Sequence, residues 1–341
     1  ECAPGRMSGA VAEIAGKGLS SEAFQHDVLE ACRPVILRGL VGDWPAVTAA
    51  RQSPRAFRDY LARFDAGGSL EVFWGQPEIA GKYYYDGSLA GFNFERRQMR
   101  LAAALDAIMA HLEQPGAQSL YVGSIPIADY MPGFDAANDM PLLPKIAAPR
   151  IWLGHASDVS AHYDTVDNLA CVVAGRRRFT LYAPELVSRL YVGPIDHTMA
   201  GQPVSLAASS ADGSGFPLFQ EVRDQALVAE LEPGDALYMP KLWWHRVQST
   251  APFNGLVNYW WDAFPSGPDA PYTAMLLSMI TLAERPLAER KAWKALFDHY
   301  VFRENGHPLA HLPAEQHGIL GPLKQNYGRI RARVMQMLRG V

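Results

Sequence analysis

The sequence predicts a mainly β fold with flanking helices: a double-stranded β-helix, or jelly roll, followed by a C-terminal helical extension. Three observations carry that prediction. From Ile151 to Phe264 short apolar and β-branched segments recur, separated by turns bearing Gly, Pro or Asp, the pattern of a double-sheet β architecture. Before them, helical periodicity alternates with strand-like pieces, and beyond Pro271 it becomes helical between Pro- and Gly-bearing linkers. The 341 residues, 49% hydrophobic and 19% charged, suffice for a substantial core. On this pattern residues 1–115 are expected to form an α/β segment packed on the barrel, 116–265 the barrel, and 266–341 a helical segment that pairs two copies of the chain.

Ser20 to Ala31 reads as a short helix capped by serine, and Arg33 to Leu40 as a buried strand bounded by proline and glycine. A turn at Gly42–Ala46 precedes an amphipathic helix over Ser53–Phe64 that carries Phe57, Tyr60 and Leu61. Between Leu70 and Asn93 the aromatics Phe73, Trp74, Tyr83, Tyr84, Tyr85 and Phe92 crowd into strand-like pieces, as core or pocket wall. Helical spacing of Met99, Leu101, Leu105, Ile108 and Leu112 predicts a helix over Phe94–Leu112. Ser119–Ile125 reads as a strand, and 126–149, rich in Pro, Asp and Met, as a long loop of the kind that carries function. The barrel strands are expected at 151–154, 168–174, 178–182, 226–231, 236–239 and 256–261. Helices at 274–297 and 323–338 are too small for a core of their own, so their apolar faces need the barrel, each other or a second subunit. A homodimer through this tail is the expectation.

Composition excludes several classes. A net charge of −4 gives no global attraction to nucleic acid or to an anionic membrane surface. Cys2, Cys32 and Cys171 form no CxxC and no paired ladder, which argues against a disulfide framework and for a reducing cytoplasm. No apolar run approaches 18 residues, so no membrane span is expected. The chain opens on Glu1, and Met7 is the expected native start.

The chemistry concentrates at His162-Tyr163-Asp164 and at His245. Side chains two apart on a strand share a face, so His162 and Asp164 can reach one ion. His245 follows a Gly234-Asp235 turn, a short apolar strand and a bend at Pro240, beside Trp243 and Trp244. Two histidines and one carboxylate leave half an octahedron open, which suits a non-haem Fe(II) oxygenase whose iron holds a cosubstrate and dioxygen together. The plainer alternatives are a chance surface pair and a histidine packed on tryptophan. Asn168 continues the even spacing from His162, on the same face of what reads as one strand. After the turn at Gly175, Arg177 shares its face with Phe179 and Leu181, whereas Arg176 and Arg178 share theirs with Thr180 and Tyr182. A guanidinium aimed at the apolar side needs an anion, and a dicarboxylate cosubstrate supplies one; a solvated hairpin end is the alternative.

These residues together resemble the JmjC-type cupin oxygenases, in particular the cupin-like hydroxylase branch that includes the asparaginyl hydroxylase acting on hypoxia-inducible factor. The resemblance runs through Arg33-Pro34-Val35, Asp43-Trp44-Pro45, Trp152-Leu153-Gly154, the His162/Asp164 pair, Asn168, the Gly175 hairpin with Arg178 to Tyr182, Pro233-Gly234-Asp235, His245 and Asn258, and so covers most of 30–265. It implies that His162, Asp164 and His245 bind Fe(II), that Asn168 and Asn258 lie near the cosubstrate 2-oxoglutarate, and that Tyr121 touches its distal carboxylate. Arg177 departs from that branch, which has lysine two residues after the hairpin glycine. The implied activity is hydroxylation of a protein or peptide side chain with dioxygen, a small-molecule substrate being the second choice and nucleic acid disfavoured. Trp74, Tyr83, Tyr84, Tyr85 and the 126–149 loop are the expected substrate contacts. The competing class is a non-oxygenase metal-binding cupin, either a small-molecule binding module or an isomerase.

Overall fold

Period-two alternation along the predicted strands becomes two sheets that enclose an apolar core. The structure is a computed structural model that describes residues 9–340 apart from 88–90, 113, 115–117, 196–197, 199–200, 209–214, 266 and 268. Cys2, Met7 and His197 lie outside the described residues. The chain divides into two compact units, Glu1–Ala263 and Phe264–Val341.

The strands, all in the first unit, are β1 (Gly9–Ala10), β2 (Ala12–Ala15), β3 (Val35–Arg38), β4 (Ser69–Gly75), β5 (Lys82–Tyr83), β6 (Glu95–Arg100), β7 (Ser119–Pro126), β8 (Ala148–Gly154), β9 (Ser157–His162), β10 (Asp167–Ala174), β11 (Arg177–Tyr182), β12 (Leu227–Leu231), β13 (Ala236–Met239), β14 (Trp244–Ser249) and β15 (Asn254–Trp261). One sheet runs β1-β12-β11-β14-β9-β5, the other β2-β3-β13-β10-β15-β8-β7-β4-β6. Successive strands β9, β10 and β11 thus alternate between sheets, as a jelly roll requires. Every residue of β10 is buried, because its two faces serve two cores. Ala170 and Val172 meet Phe179, Leu181 and Val247 from the opposite sheet. Leu169, Cys171 and Val173 pack outward under Phe57, Leu61, Leu101 and Leu105 of the covering helices.

Several local expectations change. Ser20 does cap a helix, its hydroxyl accepting from Ala23 N at 3.1 Å, but after Ser21–Ala23 the helix widens into a π-helical stretch over Phe24–Leu29. The helix predicted over Phe94–Leu112 is shorter, Leu101–His111. Its first part is β6, which pairs with β4 from Ser69↔Arg100 to Trp74↔Glu95, so ladder bonds to a neighbouring strand override the local periodicity. The 126–149 loop contains two short helices, Ile127–Tyr130 and Phe134–Ala137, and buries Ile127, Met131 and Phe134 in the core. In the second unit the segment 274–297 is two helices, Pro271–Leu282 and Leu287–Phe297, broken before Pro286; a third spans Leu323–Arg339. Among the described residues no helix is long and apolar enough to cross a membrane.

Gly175 forms the β10–β11 hairpin with φ +72°, and a Cβ there would stand 2.1 Å from Asn254 Oδ1 and 2.8 Å from Phe253 O. Gly175→Ala should cost on the order of 1–3 kcal/mol, read as a drop of several degrees in the thermal midpoint. An unchanged midpoint would refute this account of the turn.

Candidate active site

β9 ends at His162, and Asp164 lies just beyond it in the turn toward β10. β14 begins at Trp244, and its register sets His245 directly opposite His162, with ring centroids 4.3 Å apart. Each imidazole is fixed through Nδ1, which donates to a backbone carbonyl: His162 to Ser160 O at 2.8 Å, His245 to Trp243 O at 2.9 Å. A carbonyl only accepts, so Nδ1 carries the proton and Nε2 presents the lone pair of a metal ligand. Asp164 Oδ2 stands 3.7 Å from His245 Nε2, and one ligand atom from each of the three residues falls within 4.8 Å of the others. Burial, and then the neighbouring His162, hold the His245 imidazolium well below the ordinary histidine range, with Asp164 opposing. His245 is therefore neutral at pH 7, the form that binds a metal. This donor set, two imidazole nitrogens and one carboxylate, fits a divalent first-row ion.

The turn that delivers His245 is clamped from two sides. Leu242 N donates to Asp164 O at 2.8 Å. Buried Asp167 accepts from Lys241 N at 3.3 Å and Tyr238 OH at 3.1 Å through one oxygen, and from Ala263 N at 2.9 Å through the other. Leu242 itself sits at φ +70°, a left-handed conformation that a leucine holds only when its surroundings impose it.

A cavity of about 430 Å³ opens between the sheets, and His162, Asp164, His245, Asn168, Asn258, Tyr121 and Arg177 all line it. Asn168 reaches it from a different strand than expected. The chain leaves β9 after His162 and crosses to the other sheet, so Asn168 belongs to β10; the turn at 163–166 breaks the strand read as continuous. The contact survives the change, for Asn168 Nδ2 donates to Asp164 Oδ2 at 3.2 Å and Asn258 Nδ2 donates to Asn168 Oδ1 at 2.7 Å. Asn258 Oδ1 is buried without a partner.

Arg177 shares the inner face of β11 with Phe179 and Leu181 and is 3% exposed. Arg176 and Arg178 point out to Glu232 and Glu230, at 3.3 and 3.5 Å. Among the described residues Arg177 forms no ion pair, and its Nε has no hydrogen-bond partner. Burial pulls the guanidinium down to about 10, the Tyr121 hydroxyl partly opposing, so it remains charged at pH 7. Burial raises Tyr121 to about 12, with Arg177 opposing; its phenol stays a neutral donor. A cation enclosed without an anion is costly unless a ligand supplies one.

The expected substrate contacts fare less well. Tyr83 lines the cavity, while Trp74, Tyr84 and Tyr85 do not, and 126–149 contributes nothing to the wall. Trp74 instead lies under Arg97, its ring centre 4.2 Å from the guanidinium carbon, and from 126–149 Ile127, Met131 and Phe134 turn into the core. His155 is bonded on both nitrogens, to Leu120 N at 2.9 Å and Ile108 O at 3.0 Å, and lines a separate cavity with His111. Missing from the sequence reading were Asp167, which no spacing singles out, and the wall residues Ser124, Arg150 and Trp260.

A model of the cupin-like domain matches residues 21–267. Over 257 residues the chain is 31% identical to Jumonji C domain-containing protein 5 of Drosophila melanogaster, covering 71% of this chain and 58% of the fly protein. It is 25% identical over 254 residues to lysine-specific demethylase JMJ30 of Arabidopsis thaliana, covering 72% of this chain and 53% of that protein. It is 27% identical over 272 residues to the bifunctional peptidase and (3S)-lysyl hydroxylase JMJD7 of Homo sapiens, covering 70% and 80% respectively. The chain thus spans little more than half the length of the fly and plant relatives it matches.

An enclosed charge without a partner makes a stability prediction. Arg177→Met should leave the ligand-free protein equally stable or up to about 4 kcal/mol more stable. A fall of more than about 1 kcal/mol in thermal or urea unfolding would show that Arg177 serves the fold instead.

Proposed function

The chain belongs to the cupin-like, JmjC-type domain family, and from that premise we propose that it is an Fe(II)- and 2-oxoglutarate-dependent oxygenase that hydroxylates a side chain of a protein or peptide. One observation carries the reading: a two-histidine, one-carboxylate donor set and a buried guanidinium without an anion line the same cavity. Fe(II), 2-oxoglutarate and dioxygen supply the chemistry when bound, converting a substrate C–H bond to C–OH as the cosubstrate is decarboxylated to succinate.

The chain's own residues then have distinct tasks. His162 Nε2, one oxygen of Asp164 and His245 Nε2 hold the metal. Arg177 receives the distal carboxylate of 2-oxoglutarate in its fork, with the Tyr121 hydroxyl as a further donor; arginine keeps the charge of the lysine usual in the resembling branch and adds bidentate geometry. Asn168 steadies Asp164, and Asn258, whose Oδ1 is unpartnered, orients the metal-bound end of the cosubstrate. The apolar walls Phe179, Val247 and Leu256 exclude water.

Relatives named as a lysyl hydroxylase and a lysine-specific demethylase support a protein or peptide substrate; asparaginyl hydroxylation remains the branch that the motifs resemble. The second unit adds a proposal of its own. Met275, Leu276, Met279 and Ile280 of the helix Pro271–Leu282 are exposed, as are Val334, Met335, Met337 and Leu338 of Leu323–Arg339, and a second copy of the chain is their proposed cover. Free Cys32 and Cys171 suit a reducing, cytoplasmic setting.

Calorimetric titration with Mn(II) should show one site, lost in Asp164→Asn and in His245→Ala. Arg177→Met should keep the metal while weakening 2-oxoglutarate at least about 30-fold, since truncating one side of a buried charge pair costs on the order of 2–5 kcal/mol. With Fe(II), ascorbate and oxygen, the native protein should form succinate slowly without a prime substrate. Metal binding without any 2-oxoglutarate binding or turnover would favour the non-oxygenase cupin. Separately, Leu276→Glu with Met279→Glu should convert a dimer to a monomer in light scattering; a native protein already monomeric would overturn the pairing.

A further inference from the structure

We infer that the cavity reads a carboxylate on the molecule to be oxidised, and that Arg150, held by Ser124 over Trp260, is the residue that reads it. The inference rests on the oxygenase reading for there being a molecule to oxidise.

A second guanidinium lines the cavity and has no role in holding metal or cosubstrate. Arg150 lies on β8 directly beside Asn258 of β15. Its Nε donates to Ser124 Oγ and its Nη2 to Ser124 O, both at 2.6 Å, and its guanidinium carbon stands 5.7 Å from the centre of the Trp260 ring. Among the described residues Arg150 forms no ion pair; exposed Asp129 acts on it only from beyond contact. Trp260 adds an indole N–H that is buried without a partner, and Trp152 packs edge-on against it at 5.5 Å. Guanidinium and indole N–H give this part of the wall two kinds of donor, beside the unpartnered acceptor Asn258 Oδ1.

The support beneath Arg150 is unusual. Ser124 has φ +56° and lies where the β7–β8 register slips between Val122 and Ile125. That left-handed kink turns both oxygens of one serine onto one guanidinium, an irregularity that re-aims a side chain.

Charge matching points the same way. Arg96, a third cation of the wall, faces Glu71 at 3.5 Å and stacks on Phe73 at 5.3 Å. A divalent metal on Asp164 leaves one positive charge, Arg177 contributes another, and dianionic 2-oxoglutarate cancels both. Arg150, half-buried, is the wall cation left without a carboxylate at contact distance, and a singly charged anion complements it through a charge-assisted hydrogen bond. The indoles of Trp152 and Trp260 would then cover the apolar part of that molecule. The carboxylate can belong to an acidic residue of a peptide or to a free acid.

The test uses the full chain, metal-free and carrying Arg177→Met, so that Arg150 is the cavity cation being probed. Ligand-observed NMR titration compares N-acetyl-aspartate N-methylamide with its asparagine counterpart, and with free L-aspartate. The acid should bind about tenfold or more tighter than the amide. Adding Arg150→Gln should bring the two within about twofold, Arg150→Lys should restore part of the gap, and Ser124→Ala should narrow it severalfold without touching the charge. Tighter binding of the blocked or of the free acid identifies a peptide or a small-molecule source. Equal binding of acid and amide, or a preference that survives Arg150→Gln, overturns the inference. So does an Arg150→Gln single variant that loses 2-oxoglutarate as severely as Arg177→Met, which would make Arg150 a cosubstrate residue. Failure of the oxygenase reading looks different: native protein binds neither Mn(II) nor 2-oxoglutarate while the Arg150-dependent preference persists.

Discussion

The pairing of β14 with β9, which sets His245 opposite His162, is the constraint on which the rest of the site depends. It joins residues 83 positions apart in the chain (245 − 162 = 83), so a slip of one residue would carry one imidazole to the other face of the sheet. The register is held where it matters. Asp164 and Asp167 grip the turn before β14 through its backbone N–H groups, and Leu242 accepts a left-handed conformation within it. Each imidazole is then locked by the backbone carbonyl two residues before it, so Nε2 is aimed before any metal arrives. Preorganised ligands spare the protein from ordering them on binding.

The cavity beside this centre stores unsatisfied polarity. Arg177 Nε, Asn258 Oδ1 and Trp260 Nε1 are buried without partners on residues that line one cavity, and a fold selected for stability alone would replace them with apolar groups of similar shape. Their placement on one wall system, with the His/Asp set at its side, is what a ligand-completed site looks like before the ligand. The same arithmetic separates the arginines of the wall: Arg96 has Glu71, whereas Arg177 and Arg150 have no carboxylate within ion-pair reach among the described residues.

Much of this was legible in the sequence, for identifiable reasons. Strict alternation around Gly175 distinguishes Arg177 from Arg176 and Arg178, because the hairpin has one apolar face and the period is two. Strands β8, β10, β11, β12, β13 and β15 are apolar runs bounded by turns and could be read off, whereas β14, whose Trp244–Ser249 alternates with polar residues, was not expected as a strand. What escaped depended on partners distant in sequence. β6 looked helical until β4 supplied a ladder. Asn168 looked like an extension of β9 because nothing local announces that the chain changes sheets after His162. The stretch 126–149 looked like a functional loop because its prolines and aspartates outweigh three apolar residues that anchor it. Asp167, Ser124 and Arg150 carry no motif, and their importance comes from hydrogen bonds made across strands.

A crystal structure of the chain soaked with Mn(II) and 2-oxoglutarate under anaerobic conditions tests the metal and cosubstrate assignments together. One metal should lie on His162, Asp164 and His245, with the cosubstrate's distal carboxylate in the fork of Arg177 near Tyr121. A metal elsewhere, or 2-oxoglutarate bound away from Arg177, would contradict these assignments.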